Sequence, residues 1–363
     1  MAARITIFGA TGYTGRLVAE RLAAAGAEPV LAGRSEASVR ELAERLGTEW
    51  RHADALRQNS VFALLEPGDV LVSTVGPFQR WGEPAVRATI AAGGTYIDSA
   101  GEPAFIRRVF ADFGPPAARA GATLLTAMGY DFVPGALAGA IALEEAGQDA
   151  ERVDVGYYAF GITPSAGTRR SGVGFVLDDG FAFRDGALRS VRIGERVRSF
   201  NAKGSEREAV AVGGAEHFTL PAAYPLLREV NVYLGWTGRL SRPLQAASLA
   251  GSVAMRVPGV RALLRAAGER AVELAAGSGA PARGGLSWIA AEAFDGAGHR
   301  LAEVHLSGAE PYVLTAGIIS WAARRAAGPG IEGSGALGPV EAFGLTDLEA
   351  GCREAGLERV TSA

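Results

Sequence analysis

The stretch RITIFGATGYTGRLVAERLAAAG, from Arg4 to Gly26, constrains this chain more than any other. Ile5, Ile7 and Phe8 form a short β-rich run, and Gly9, Gly12 and Gly15 then recur at three-residue spacing. Leu17, Val18, Leu22 and Ala25 follow at helical spacing. This order predicts a buried strand, a tight turn, and a helix whose positive end and backbone N–H groups aim at one point. Such a turn binds a pyrophosphate without needing a basic side chain. Gly9 would allow the turn, Gly12 the close approach of phosphate, and Gly15 the packing of helix on strand. The expected cradle is Gly9, Thr11, Gly12, Tyr13, Thr14 and Gly15. The second glycine sits one place later than in G-x-G-x-x-G, so a turn of purely structural purpose is the competing reading.

The rest of the first third alternates in the same way. EPVLAGR reads as a second strand and SEASVRELAERLG as a helix with Val39, Leu42 and Leu46 inward, N-capped by Ser35. Strands are expected at Glu49–His52, Asp69–Ser73, Thr95–Asp98 and Thr123–Thr126, and helices at Gly82–Ala92 and Phe105–Ala120. Alternating strands and helices predict right-handed crossovers and a doubly wound parallel sheet of the Rossmann type.

The tip of the second strand selects the dinucleotide. Gly33, Arg34 and Ser35 stand 18 to 20 residues after Gly15, where an acidic residue would accept from the ribose 2′-hydroxyl of NAD. An arginine there can hold a 2′-phosphate, and Ser35 adds a hydroxyl and a helix N-terminus. NADP(H) is therefore the expected cofactor, against the alternative of a solvated arginine. After the fourth strand, Thr74, Val75, Gly76, Pro77 and Phe78 form a loop on the edge where the cofactor runs toward its nicotinamide. These residues also suit an ordinary βα loop. Asp98–Glu102 and Met128–Pro134 end the fifth and sixth strands and should open on the same edge.

With 363 residues the chain can hold two domains, and a net charge of −3 gives no reason to expect nucleic acid or an anionic membrane as partner. Cys352 is the single cysteine, which excludes an internal disulfide and any multi-cysteine metal site. His52, His217, His299 and His305 are scattered, so no metal is expected. The charge-free runs near Leu244–Met255 and Phe132–Leu143 are too short to span a bilayer, and no signal peptide is read at the start. The expectation is a cytoplasmic protein without a transmembrane segment.

The second domain is less legible. Pro134–Glu145 reads as a helix, and Val153–Phe160, Val191–Phe200, Glu216–Leu220 and Val230–Trp236 as strands. TPSAGTRRSG gathers Arg169 and Arg170 with hydroxyls and glycines, either as a clamp for an anionic substrate group or as a solvated basic turn. Arg239–Gly277 reads as helical, interrupted by Pro258 and Gly259, and its apolar positions suit a core or a homodimer interface, with a lipid groove as the alternative. SWIAAEAFDGAGHRLAEVHLSG reads as a hairpin turning at Asp295–Gly298, and Pro311–Ala327 as a helix.

GATGYTG, LAGRS, STVGPFQRWGEPAVRATIAAGGTYIDSAGE and GYDFVPGALA resemble the saccharopine dehydrogenase-like oxidoreductases, and within them the bacterial trans-acting enoyl reductase branch. The resemblance is good from about Ile5 to Ala140. It implies an α/β fold: an N-terminal Rossmann domain over 1–130, an inserted α+β substrate and dimerisation domain over 131–327, and a C-terminal segment, 328–363, packing back on the first. It also implies an NADPH-dependent reductase acting on C=C bonds of lipid or polyketide intermediates, small or carrier-linked, or on C=N bonds of amino-acid adducts. Hydride would pass to a substrate held in the crevice between domains. A protein that binds NADP without turnover is the reading from another class. Tyr130 and Asp131, with Glu102 as a second carboxylate, are the candidate proton donors; Phe78, Phe132, Arg169 and Arg170 are candidate substrate contacts. Where relatives often read G-F-D-S-V-P, this chain has GYDFVP, an aromatic ring in place of a hydroxyl.

Overall fold

The computed structural model describes residues 3–162, 180–235, 241–254, 270 and 284–360. The chain divides into two compact units, one of Met1–Gly101, Phe105–Val133 and Pro311–Gly356, the other of Glu102–Ala104, Pro134–Glu310 and Leu357–Ala363.

The first unit is built on a parallel sheet of β1 (Ile5–Phe8), β2 (Val30–Gly33), β3 (Trp50–His52), β4 (Val70–Ser73), β5 (Thr95–Asp98) and β6 (Thr123–Leu125). Its order is β3-β2-β1-β4-β5-β6, extended beyond β6 by the short strand Gly335–Ala336. Every residue of β1, β2 and β4 is buried, which explains why these strands read as unbroken apolar runs rather than alternating ones. The strand order reverses between β1 and β4, and in open α/β sheets ligands bind beyond the carboxyl ends at such a switch point. Helix α1 (Tyr13–Ala24) buries Gly15, Val18, Ala19 and Leu22. Helix α2 (Glu36–Leu46) is capped by Ser35, buries Val39, Leu42 and Ala43, and ends at Gly47 in the left-handed conformation, φ 68°.

Two features of this unit differ from the sequence reading. Phe105–Ala120 is not one helix: Pro103–Arg108 passes through a π-helical turn, Val109–Phe113, into Gly114–Ala120. Pro115 and Pro116 lack the N–H groups that a continuous helix needs, and they fit only a new first turn. The Pro311–Ala327 helix, expected in the second domain, packs against α1 in the first unit. Its buried face of Leu314, Ile318, Ile319 and Ala322 is apolar, and periodicity does not reveal which sheet such a face will cover.

The second unit holds a mixed sheet. Its strands are β7 (Arg152–Phe160), β8 (Gly180–Arg184), β9 (Ala187–Val191), β10 (Val197–Ala202), β11 (Ser205–Val212), β12 (Glu229–Leu234), β13 (Leu286–Phe294) and β14 (Arg300–Gly308). The order is β10-β11-β12-β7-β13-β14, closed by Leu357–Arg359, with β8 and β9 branching from β12. Only β7 and β12 run parallel among these pairs. The hairpin β13–β14 turns at Asp295–Gly298 as expected, with the Asp295 carboxylate accepting from the Ala297 and His299 amides at 2.9 and 2.8 Å. Val191–Phe200 divides into the end of β9 and the start of β10, with Gly194 at φ 71° in the turn. Glu216–Leu220 lies in a helix, Glu216–Ala223, not a strand, because five residues cannot separate a period of 2 from one of 3.6.

Charges inside this unit are paired with each other. Asp154 on β7 and Glu292 on β13 are register neighbours, and both form ion pairs with Arg198 of β10. Asn231 donates to Asp154 at 2.7 Å. Burial raises both carboxyls and Arg198 opposes the shift. Among the described residues no helix is long and apolar enough to cross a membrane, and no group of three His, Cys, Asp or Glu side chains could hold a metal ion.

Candidate functional site

The dinucleotide turn is set by three glycines with different tasks. At Gly9 the chain leaves β1 with φ 92°, a conformation that strains any L side chain. The Gly12 amide then closes the turn on the Gly9 carbonyl at 3.0 Å. A Cβ on Gly15 would lie 2.3 Å from the Gly9 carbonyl oxygen and 2.8 Å from Thr74 Oγ1, so α1 can approach β1 only without a side chain there. A Cβ on Gly12 would meet only the Gly9 carbonyl oxygen, at 3.3 Å, and Gly12 itself is exposed. Its outer side is open. Gly12 is the N-cap of α1, with no side-chain cap and no acidic residue in the first turn, which leaves the helix's positive end available to an anion.

Across the switch point, Thr74 takes a different role from the one expected. Its hydroxyl donates to the Gly9 carbonyl at 3.0 Å and lies 3.3 Å from that of Phe8, while its amide bonds Phe8 at 2.9 Å. Thr74 therefore straps β4 to the turn, and contact with a cofactor would use its remaining acceptor capacity. Thr74→Val keeps the shape and removes a hydrogen bond worth about 1 kcal/mol. The expected result is NADPH binding about five-fold weaker by fluorescence titration, with Thr74→Ser near the wild type.

The remaining cofactor candidates spread along the same edge. Thr11 is beside the tip of β2, its Oγ1 3.8 Å from where a Cβ on Gly33 would sit. Thr14 is half-buried in the first turn of α1, and the ring of Tyr13 meets Tyr312 edge-on at 5.2 Å. Arg34 emerges exposed from β2, and no hydrogen bond or ion pair ties its guanidinium among the described residues. Ser35 accepts from the Ser38 amide at 3.4 Å, and the two hydroxyls are 3.0 Å apart. Val75 and Pro77 are half-buried and Gly76 is exposed. Phe78, expected as an apolar wall, is instead buried against Phe105 with ring centres 5.7 Å apart. Phe132 is also buried, at 2% exposure, because its place between the turn and the Val133–Ala146 helix is within the core. Arg169 and Arg170 lie outside the described residues.

The loops after β5 and β6 hold two carboxyls in opposite circumstances, Asp98 buried and Asp131 half-buried. Asp98 is fully buried and accepts from the Ala100 amide at 2.8 Å, the Ala127 amide at 2.8 Å and the Thr126 hydroxyl at 2.9 Å. Its own carbonyl accepts from Met128 at 2.7 Å. Desolvation pushes its carboxyl up to about 6 against those donors. This is a brace between the two loops. Asp131 has no such donors: its Oδ1 is sealed from water without a hydrogen-bond partner among the described residues, and burial alone pushes the carboxyl up to about 7. The glycine at 101 makes room for it, since a Cβ there would be 3.2 Å from Asp131 Oδ2. Tyr130 is buried and its amide donates to Thr315 Oγ1 at 2.9 Å. Glu102 is buried too, and falls in the short segment that belongs to the second unit. Burial therefore favours the neutral acid form of Asp131 near neutral pH. Sequence reasoning missed Thr315 and Tyr312, which stand far along the chain in a helix with no motif of its own.

Residues 5–125 match the family model described as the saccharopine dehydrogenase NADP binding domain. A trans-acting enoyl reductase of Mycobacterium tuberculosis is 38% identical over 137 residues, 36% of this chain and 33% of that protein. One from Mycobacterium leprae is 37% identical over the same length. This chain thus matches about a third of the length of these curated relatives. Among solved structures, apo saccharopine dehydrogenase (L-Glu forming) from Saccharomyces cerevisiae aligns over 99% of this chain and 100% of that one, with a TM-score of 0.64 at 13% identity, a likeness of fold. The open helix end beyond Gly12, the untied Arg34 and the matched domain agree, and residues 5–125 are similar to the NADP-binding domain of saccharopine dehydrogenase.

Proposed function

We propose that this protein is an NADPH-dependent reductase that saturates a C=C bond of a lipid- or polyketide-like intermediate, free or carrier-linked. The observation that carries the reading is Asp131, a half-buried carboxyl in the loop after β6 whose Oδ1 is shut off from water and has no hydrogen-bond donor among the described residues. It shares a sheet edge with the dinucleotide turn. The names of the mycobacterial relatives support the choice of C=C over C=N.

Bound NADPH supplies the hydride. The chain's own residues have two tasks. The first is to hold the dinucleotide: the α1 N-terminus beyond Gly12 receives the pyrophosphate, Arg34 and Ser35 receive the 2′-phosphate, and Thr74 keeps the turn in shape. The second is to deliver a proton to the carbon that hydride addition leaves electron-rich. Neutral Asp131 holds that proton and takes another from solvent after transfer. Asp98, braced by three donors, stays out of the chemistry.

The test begins with fluorescence titrations of NADPH and NADH. A charge-assisted contact to the 2′-phosphate of about 1.5–3 kcal/mol predicts NADPH binding about 10- to 100-fold tighter than NADH, with Arg34→Ala erasing the difference. NADPH consumption is then followed with enoyl thioesters and, in parallel, with imines. Turnover of enoyl thioesters alone is the expected outcome. Turnover of imines alone would move the protein to the amino-acid branch, and turnover of neither would leave an NADP-binding protein without reductase activity.

A further inference from the structure

We propose that Thr315, on the Pro311–Ala327 helix, is a positioning residue for the Asp131 loop, its hydroxyl holding the Tyr130 amide so that Oδ1 of the neighbouring carboxyl stays shut off from water. The inference rests on Asp131 being the proton donor and names the part of the chain that keeps it so.

Residues 127–133 are tied to themselves at both ends. Phe132 N–H reaches the Ala127 carbonyl at 3.0 Å, Val133 N–H reaches that of Gly129 at 3.1 Å, and Ala127 adopts φ 60°. Asp98 braces the start of the loop at Ala127 and Met128, and Thr315 holds its middle through two contacts. Thr315 Oγ1 accepts from Tyr130 N–H at 2.9 Å. Its Cγ2 fills the space above Gly129, 2.8 Å from where a Cβ would stand. Thr315 is 8% exposed, so water cannot readily replace its hydroxyl. An amide left without an acceptor in such a place would turn elsewhere and carry Asp131 with it.

The same helix reaches the dinucleotide turn. Tyr312, three residues before Thr315 and so on the same helical face, meets Tyr13 edge-on at an interplanar angle of 87°. One rigid element therefore touches both the residue that opens α1 and the residue next to the acid. Thr315 serves the second contact, and substitutions there should leave the first in place.

The experiment needs no substrate. Thr315→Val and Thr315→Ser are prepared in the full chain with 13C-labelled aspartate, and the Asp131 carboxyl is titrated by NMR, using Asp131→Asn to assign its signal. Tyr130 amide exchange and NADPH affinity are measured on the same samples. The expected result for T315V is an Asp131 midpoint lower by about one pH unit or more, as water reaches Oδ1. Tyr130 exchange should also rise about ten-fold or more relative to Met128 and Phe132, with NADPH affinity within about two-fold of wild type. T315S keeps the acceptor and should restore the wild-type midpoint. A midpoint near 7 in the wild type that T315V leaves unchanged would overturn the positioning role alone. A wild-type midpoint near 4 would overturn both that role and the reading of Asp131 as the acid.

Discussion

Asp131→Asn is expected to lower reductase turnover by about 10²–10⁴-fold, the usual contribution of a positioned general acid, while NADPH binding stays near wild type. The same substitution should make the protein more stable above neutral pH. Asp131 is raised from its ordinary 3.8 to about 7 because burial penalises its charged form and no donor offsets that penalty. A carboxyl that binds its proton more tightly when folded adds stability that is fully present below its unfolded value and is lost as pH rises through its folded value. The relevant window therefore runs from about 4 to about 7. At pH 8 the native protein carries a desolvated charge that the amide does not. Asp131→Asn is expected to gain on the order of 3 kcal/mol there and almost nothing at pH 3.5. Urea unfolding at the two pH values measures this directly. A variant that is slow and equally stable at both would separate a steric role from a proton-donating one. The wild-type turnover should in turn fall as pH rises through about 7, as the acid form is lost.

Gly15→Ala and Gly12→Ala should part company in the opposite sense. The methyl of Gly15→Ala would lie 2.3 Å from the Gly9 carbonyl oxygen, a backbone atom that can yield only if the turn itself moves. Overpacking of this kind costs about 1–3 kcal/mol. Displacement of the turn from α1 should weaken NADPH binding about 100-fold. Gly12→Ala meets nothing closer than 3.3 Å, and φ −67° is open to alanine. Its fold should melt within a few degrees of wild type. Its methyl nonetheless stands on the open side where phosphate must approach, and NADPH affinity should fall about ten-fold or more. Thermal melting with and without NADPH distinguishes the two. Equal affinity in Gly12→Ala and wild type would show that phosphate does not come to this helix end.

The parallel sheet, its strand boundaries within a residue or two, Ser35 as a cap and the hairpin at Asp295 were legible because each rests on neighbours along the chain. Buried strands need apolar runs, and a βα turn under a phosphate needs glycine at fixed offsets. The reading lost accuracy where local signals were short or ambiguous. EHFTL supports either period, Pro115 and Pro116 interrupt an otherwise helical pattern, and the apolar face of Pro311–Ala327 does not name its partner.

At the candidate site the division is sharper. Gly9, Gly12, Gly15 and Arg34 follow from spacing after a strand, so the sequence alone pointed to NADP(H), which the matched domain supports, and to these residues as its expected contacts. The tertiary structure alone distinguished the two aspartates, Asp98 braced by donors and Asp131 without any, since burial and partnering are properties of the folded surroundings. It likewise turned Phe78 inward and gave Thr74 to the Gly9 carbonyl, 65 residues away, and Thr315 to the Tyr130 amide, 185 residues away. Spacing along a chain encodes local geometry, whereas the protonation state of a carboxyl depends on what the rest of the chain packs around it.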